Sequence, residues 1–173
     1  MSKISIIFDI DNTLITFYNS KVILRPYINE LLCFCFENFK NIGIWTAAHP
    51  IWLEYITEYY LKPLIHIFSP YKKLFVEYSR ENCIMLNGTY HKPLSKITEN
   101  FDIDCKDLII VDDVRENFLL NPSNGIEIPG FYIPDLHDNK LRSLVFFLRE
   151  ILDHYKETDD VRVIDKEQWW NKY

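Results

Sequence analysis

The chain has 173 residues, 48% of them hydrophobic and 16% aromatic, with only 4 glycines, so it can bury a sizeable core as one domain of ordinary size. Its 19 Lys and Arg against 25 Asp and Glu leave a net charge of −6, which lacks the basic footprint of a general nucleic-acid binder, so no direct nucleic-acid partner is expected. No apolar run reaches the length of a membrane span and no signal-peptide pattern opens the chain. The 4 cysteines (Cys33, Cys35, Cys83 and Cys105) form no C-x-x-C pair, so an intracellular protein, cytoplasmic or nuclear, with reduced and buried thiols is expected.

Ile4 to Phe8 is a continuous apolar run and reads as a fully buried parallel strand, followed by a short loop up to Arg25-Pro26. PYINELLCFCFENF has helical apolar spacing, with Pro26 tolerated in the first turn. NIGIWT reads as a second strand ending at Trp45, and Pro50 opens a helix from Ile51 to about Leu61. Pro63 and Pro70 break residues 62–92 into a small insertion, in which CIMLNGTYHK reads as a hairpin turning at Asn87-Gly88. A short helix from Leu94 to about Asn100 precedes a third buried strand, DLIIVDD, and a short fourth strand spans Gly125 to Ile128. Asn139 to Tyr155 carries Leu141, Leu144, Val145, Leu148 and Leu152 on one helical face. The tail, residues 156–173, is charged, but Trp169 and Trp170 are expected to pack it onto the domain.

Strands alternating with helices predict an α/β fold with right-handed crossovers. In such sheets ligands bind beyond the carboxyl ends of the strands. Three buried strands end there in polar residues: Asp9-Ile10-Asp11-Asn12-Thr13, Thr46, and Asp112-Asp113. Each alone reads equally as a turn residue or a helix cap. Together they make a cleft of clustered carboxylates, which needs a cation, and hard oxygen donors suit Mg²⁺. A carboxylate nucleophile beside Mg²⁺ suits attack on phosphorus, giving an aspartyl-phosphate. An acid two residues along could protonate the leaving oxygen and then activate water.

This ordered set resembles the four motifs of the haloacid dehalogenase superfamily, and most nearly its FCP/SCP-type protein phosphatases, including the Dullard branch. Arg25-Pro26 resembles that family's "RP"; Ile44 to Ala48 its "FTAS"; Ser79 to Cys83 its "FRESC"; and Gly88 to Ile97 its "GNYVKDLSRL". LIIVDDVRENFLLNPSNGIEI resembles "IIILDNSPASYxxxPxNAIPI", and DDVRVI resembles the "DVRSVL" of the Dullard branch. The resemblance implies a three-layer α/β sandwich with a mainly parallel sheet and a small hairpin insertion. It implies a Mg²⁺-dependent phosphatase of phosphoserine or phosphothreonine in proteins, with the C-terminal repeats of RNA polymerase II as one candidate substrate. Small phosphoesters, nucleic-acid ends and an inactive peptide-binding relative stand as alternatives.

By the same resemblance Asp9 is the nucleophile and a metal ligand, and Asp11 is the acid/base, with its main-chain carbonyl on the metal. Thr46 and Lys92 bind the phosphate. Asp113 and Asp112 complete the metal site, while Arg80, Trp52 and Thr13 face substrate. The sequence departs from the family between Thr13 and Arg25, where residues 14–24 replace a longer hairpin that shapes a proline pocket, so that pocket is expected to be missing or rebuilt.

Overall fold

The computed structural model describes residues 2–68 and 70–173. Five strands form one sheet in the order β5-β4-β1-β8-β9, every neighbouring pair parallel. They are β1 (Ser5–Phe8), β4 (Asn41–Trp45), β5 (Glu77–Tyr78), β8 (Leu108–Asp112) and β9 (Gly125–Glu127). Two hairpins stand apart, β2 (Ile15–Tyr18) with β3 (Lys21–Leu24), and β6 (Ile84–Leu86) with β7 (Thr89–His91). The helices are α1 (Ile28–Asn38), α2 (Pro50–Ile56), α3 (Lys62–Phe68), α4 (Ser95–Phe101) and α5 (Lys140–Thr158).

Strand periodicity divides the core into two layers. Ile6, Phe8, Ile42, Ile44, Ile109 and Val111 point to one face and pack against α1, α2, α3 and α5. Ile7, Trp45, Leu108 and Ile110 point to the other, beneath Leu94, Ile97 of α4, Ile103 and Phe118. The three-layer α/β architecture expected from the sequence is therefore present, with its apolar strands covered on both sides.

Several elements differ from expectation for identifiable reasons. The loop after β1 is a hairpin, closed by Asn19 (φ 48) and Ser20 (φ 60), the paired positive φ values that a two-residue type I′ turn requires. Helix α1 begins at Ile28 rather than at Pro26, because Tyr27 takes a left-handed conformation (φ 65). The helix from Pro50 does not stop near Leu61. It widens into a π-helical turn over Thr57–Leu61 and continues as α3, so Pro63 lies just after that wider turn and does not end the helix. The 62–92 segment also contributes β5 to the sheet edge, two residues too short to show a period. Gly43 permits this addition, since a Cβ there would lie 2.3 Å from Val76 Cγ1. The Asn87-Gly88 hairpin forms as expected, with φ 52 and 81. All four cysteines are free, but only Cys35 is buried; Cys33, Cys83 and Cys105 are half-buried.

The tail lies along α5. Trp169 is buried and stacks on Phe147 at 5.3 Å and 4°, with its indole donating to the Glu127 carbonyl at 2.8 Å. The Lys166 ammonium reaches the carbonyls of Ser123 at 2.8 Å, Ile164 at 2.9 Å and Val161. Among the described residues no helix is long and apolar enough to cross a membrane.

Candidate active site

Register alone brings the acidic strand ends together. Phe8 pairs with Ile44 on one side and Val111 on the other, so the next residues, Asp9, Trp45 and Asp112, lie level. The Asp9 amide extends the ladder to the Val111 carbonyl at 2.9 Å. Beyond it the chain turns sharply: Asn12 is left-handed (φ 57), and the amides of Leu14 and Ile15 both reach the Ile10 carbonyl, at 2.9 and 3.1 Å. The turn sends Asp11 toward β4 and Thr13 beneath the site. The carboxylates of Asp9, Asp112 and Asp113 converge, each with an oxygen within 4.8 Å of the others.

Lys92 enters from the far hairpin. It lies directly after β7, its amide donating to the Asn117 carbonyl at 2.6 Å, and its side chain is 0% exposed. The ammonium bridges Asp9 Oδ1 and Asp112 Oδ2, both at 2.6 Å. Asp112 is saturated with donors, for the Asn117 amide reaches both its oxygens at 2.9 and 3.0 Å, and the Val114 amide reaches Oδ1 at 2.9 Å. Asp112 thus fixes Lys92 from behind, while Asp9 Oδ2 accepts no hydrogen bond among the described residues.

The charges do not balance. Burial pushes the Asp9 carboxyl well above the usual carboxylate range, against the pull of Lys92, with Asp112 and Asp11 adding to the rise. Burial alone would depress Lys92, but Asp112 and Asp9 reverse it and hold the ammonium above its ordinary value. Burial also raises Asp113 to about 6, assisted by Asp112 and opposed by the hydrogen bond from Tyr132. A single ammonium therefore faces three carboxylates, and an additional cation would relieve the excess.

Asp11 stands to one side with both oxygens engaged. Thr46 Oγ donates to Oδ2 at 3.1 Å, and the Trp52 indole donates to Oδ1 at 2.8 Å. Thr46 Oγ in turn accepts the Ala48 amide at 3.0 Å. Trp52, expected at the substrate, thus contacts the acid/base candidate directly. Thr13, also expected at the substrate, is fully buried, and its hydroxyl reaches Asp113 Oδ1 at 3.5 Å. Arg80 is exposed, its guanidinium over the Tyr90 ring at 5.8 Å, and its amide donates to the Ala48 carbonyl at 3.0 Å. The structure therefore brings Asp9, Asp11, Thr46, Lys92, Asp112 and Asp113 into one cleft, with Trp52 on its wall and Arg80 outside the carboxylate cluster.

Residues that sequence reasoning left out complete the frame. Asn117 orients Asp112, and the exposed Tyr132 donates its hydroxyl to Asp113 Oδ2 at 3.0 Å. Arg25 is buried and fork-bonded to Asp138 at 2.9 and 3.0 Å, and it also reaches the Thr13 carbonyl at 3.2 Å and the Pro129 carbonyl at 2.7 Å. It ties the turn carrying Asp11 to the loop carrying Tyr132. The Arg-Pro motif marked Arg25, but no local pattern pointed to Asp138 or Tyr132.

Residues 4–162 match the family model described as NLI interacting factor-like phosphatase. The chain is similar to the ubiquitin-like domain-containing CTD phosphatase 1 of Homo sapiens, 30% identical over 166 residues, 87% of this chain and 48% of that protein. The Rattus norvegicus protein of the same name is 29% identical over 163 residues, covering 87% and 48%. CTD small phosphatase-like protein 2 of Dictyostelium discoideum is 27% identical over 180 residues, covering 92% of this chain and 29% of that one. The chain spans about half or less of the length of these curated relatives. Among solved structures, that of Fcp1, described as an essential RNA polymerase II CTD phosphatase, superposes with a TM-score of 0.66 at 15% identity, over 90% of this chain and 64% of that one. That likeness shows a shared fold.

Proposed function

This chain belongs to the NLI interacting factor-like phosphatase family, and from that premise we propose that it is a Mg²⁺-dependent phosphatase of phosphoserine or phosphothreonine in proteins, working through an aspartyl-phosphate on Asp9. The observation that carries the reading is the convergence of Asp9, Asp112 and Asp113 within 4.8 Å around one buried ammonium, with Asp11 held beside them. The donor set fits Mg²⁺: all hard oxygens, in negative excess, converging within 4.8 Å, with Asp9 Oδ2 taking no hydrogen bond among the described residues. Asp9, Asp113 and the Asp11 main-chain carbonyl would hold the ion, and Asp112 would support them from behind. When bound, Mg²⁺ neutralises phosphate charge and keeps Asp9 ionised.

The chain's own groups then divide the work. Thr46 Oγ and Lys92 Nζ bind phosphoryl oxygens and spread their charge. An Asp9 oxygen attacks phosphorus, the P–O ester bond breaks, and its electron pair stays on the seryl oxygen, which takes the proton from Asp11. A water then gives its proton to Asp11 and attacks phosphorus, the bond between Asp9 and phosphorus breaks, and inorganic phosphate leaves. An acid/base group in this position contributes about 10²- to 10⁴-fold to rate. The names of the relatives favour a phosphorylated polypeptide substrate, and the exposed Phe17 and Tyr55 beside Trp52 offer apolar surface for one.

The test is phosphate release from p-nitrophenyl phosphate and from phosphoserine peptides, with and without Mg²⁺. Turnover that needs Mg²⁺ and vanishes in Asp9→Asn is the expected result. Equal turnover by Asp9→Asn, or none by the unaltered chain on any substrate, refutes the proposal.

A further inference from the structure

Asp11 is held by side chains from two different elements, one on each oxygen, and the two donors are unlike. Trp52 offers a single N–H and no acceptor, so its bond to Oδ1 at 2.8 Å has no alternative use within the site. Thr46 offers a hydroxyl whose oxygen is pinned by the Ala48 amide at 3.0 Å, so only its proton is free to turn. In the phosphatase reading that proton goes to a phosphoryl oxygen, which releases Asp11 Oδ2 and leaves Oδ1 anchored.

The indole itself is clamped. Phe17, from the β2–β3 hairpin, meets the Trp52 ring edge-on at 5.6 Å and 86°, and Tyr55 stacks on it at 5.8 Å and 29°. The Trp52 amide donates to the His49 carbonyl at 2.9 Å, fixing its turn of α2. Phe17 is 58% exposed and Tyr55 42%, so this ladder contributes little core burial. It does immobilise the ring that donates to the acid/base candidate. The residues 14–24 that replace the family's longer hairpin therefore have a definite place: they bring Phe17 against Trp52.

We propose that Trp52 is a positioning residue for Asp11, its indole N–H anchoring Oδ1 so that Oδ2 faces the oxygen of the departing group. This rests on the phosphatase reading above. The carboxylate torsion of an aspartate is broad and two-fold, so without an anchor Oδ2 spends less time in line with that oxygen. The loss falls on proton donation, and so on substrates whose leaving group most needs the proton.

The experiment compares kcat/KM for a series of aryl phosphates running from p-nitrophenyl, whose phenolate departs readily, to phenyl, whose phenolate needs protonation. Because kcat/KM reports steps through departure of the first product, later hydrolysis of the phospho-enzyme does not enter, and small substrates avoid any peptide contact by Trp52. Trp52→Phe keeps a ring between Phe17 and Tyr55 but removes the donor. Its loss in kcat/KM should be about 10-fold greater for phenyl than for p-nitrophenyl phosphate, a small part of what a general acid supplies. In an Asp11→Asn background the same substitution should add no further slope, because it acts only through Asp11. Phe17→Ala, at an exposed position, should steepen the slope in the same sense by a smaller factor. A loss uniform across the series, or a slope change that persists without Asp11, overturns the proposal and assigns Trp52 to packing. If the unaltered chain hydrolyses no aryl phosphate and no phosphopeptide, the phosphatase reading itself fails and takes this proposal with it.

Discussion

Replacing Lys92 with methionine removes the one cation bonded to Asp9 and Asp112 among the described residues, while nearly matching the side chain's length. The ammonium is 0% exposed and lies 2.6 Å from each carboxylate, whose side chains are 6% and 0% exposed. Two such pairs attract by roughly 6 kcal/mol each at an effective dielectric of 20, and much of this offsets the cost of burying the ions. Breaking the cluster from the cationic side leaves both acids uncompensated, so the net loss should be about 3–5 kcal/mol. For a chain of this size that lowers Tm by about 6–20 °C.

The assay is urea and thermal unfolding in chelator, with and without Mg²⁺. In Lys92→Met the deficit should shrink on acidification. Asp9 and Asp113 already have raised folded-state values, Asp113 at about 6, so the folded chain holds protons that the unfolded chain has released. Such groups stabilise below their unfolded values and lose that stability as pH rises through the folded ones. The variant should therefore lie closest to the unaltered chain below about pH 6 and furthest from it at pH 7 and above. Saturating Mg²⁺ at about 100 times Kd should add about 2.7 kcal/mol to the unaltered chain. A loss below about 1 kcal/mol, the level of an exposed ion pair, would refute the view that Lys92 holds this cluster together.

Tyr132→Phe removes only the hydroxyl on Asp113. Outer partners of metal ligands commonly contribute 10- to 100-fold in affinity, so calorimetric titration should give Mg²⁺ binding about 10-fold weaker, and unchanged affinity would show that Tyr132 has no part in the site. Trp169→Ala should cost about 3–5 kcal/mol in urea unfolding, because the ring is buried against Phe147, and limited proteolysis should then release the tail. A loss under about 1 kcal/mol would mean that the stack contributes no more than an ordinary surface contact.

Much of the site's skeleton was legible along the chain. The runs ending at Asp9, Trp45 and Asp112 read as buried strands, and parallel pairing aligns their ends. The Asn87-Gly88 turn was legible because its residues favour positive φ. The β2–β3 hairpin was not, because Asn19-Ser20 is a weaker signal than Asn-Gly, although Ile15 to Leu24 is rich in strand formers. β5 was hidden because two residues cannot show a period, and its place depends on Gly43 admitting Val76. Helix α3 was hidden because Pro63 argued for a break, and the π turn that precedes it has no sequence period of its own.

By itself the sequence determined the α/β class, the three acidic or hydroxyl-bearing strand ends and their order, because hydrophobic periodicity and strand length are local properties. Only the tertiary structure decided that Lys92 lies between Asp9 and Asp112, that Arg25 meets Asp138 across the chain, and that Trp52 holds Asp11 instead of standing free in the cleft. Those contacts join elements tens of residues apart. They are set by strand register, by the path of two hairpins and by the need of each buried charge for a partner, none of which a local pattern encodes.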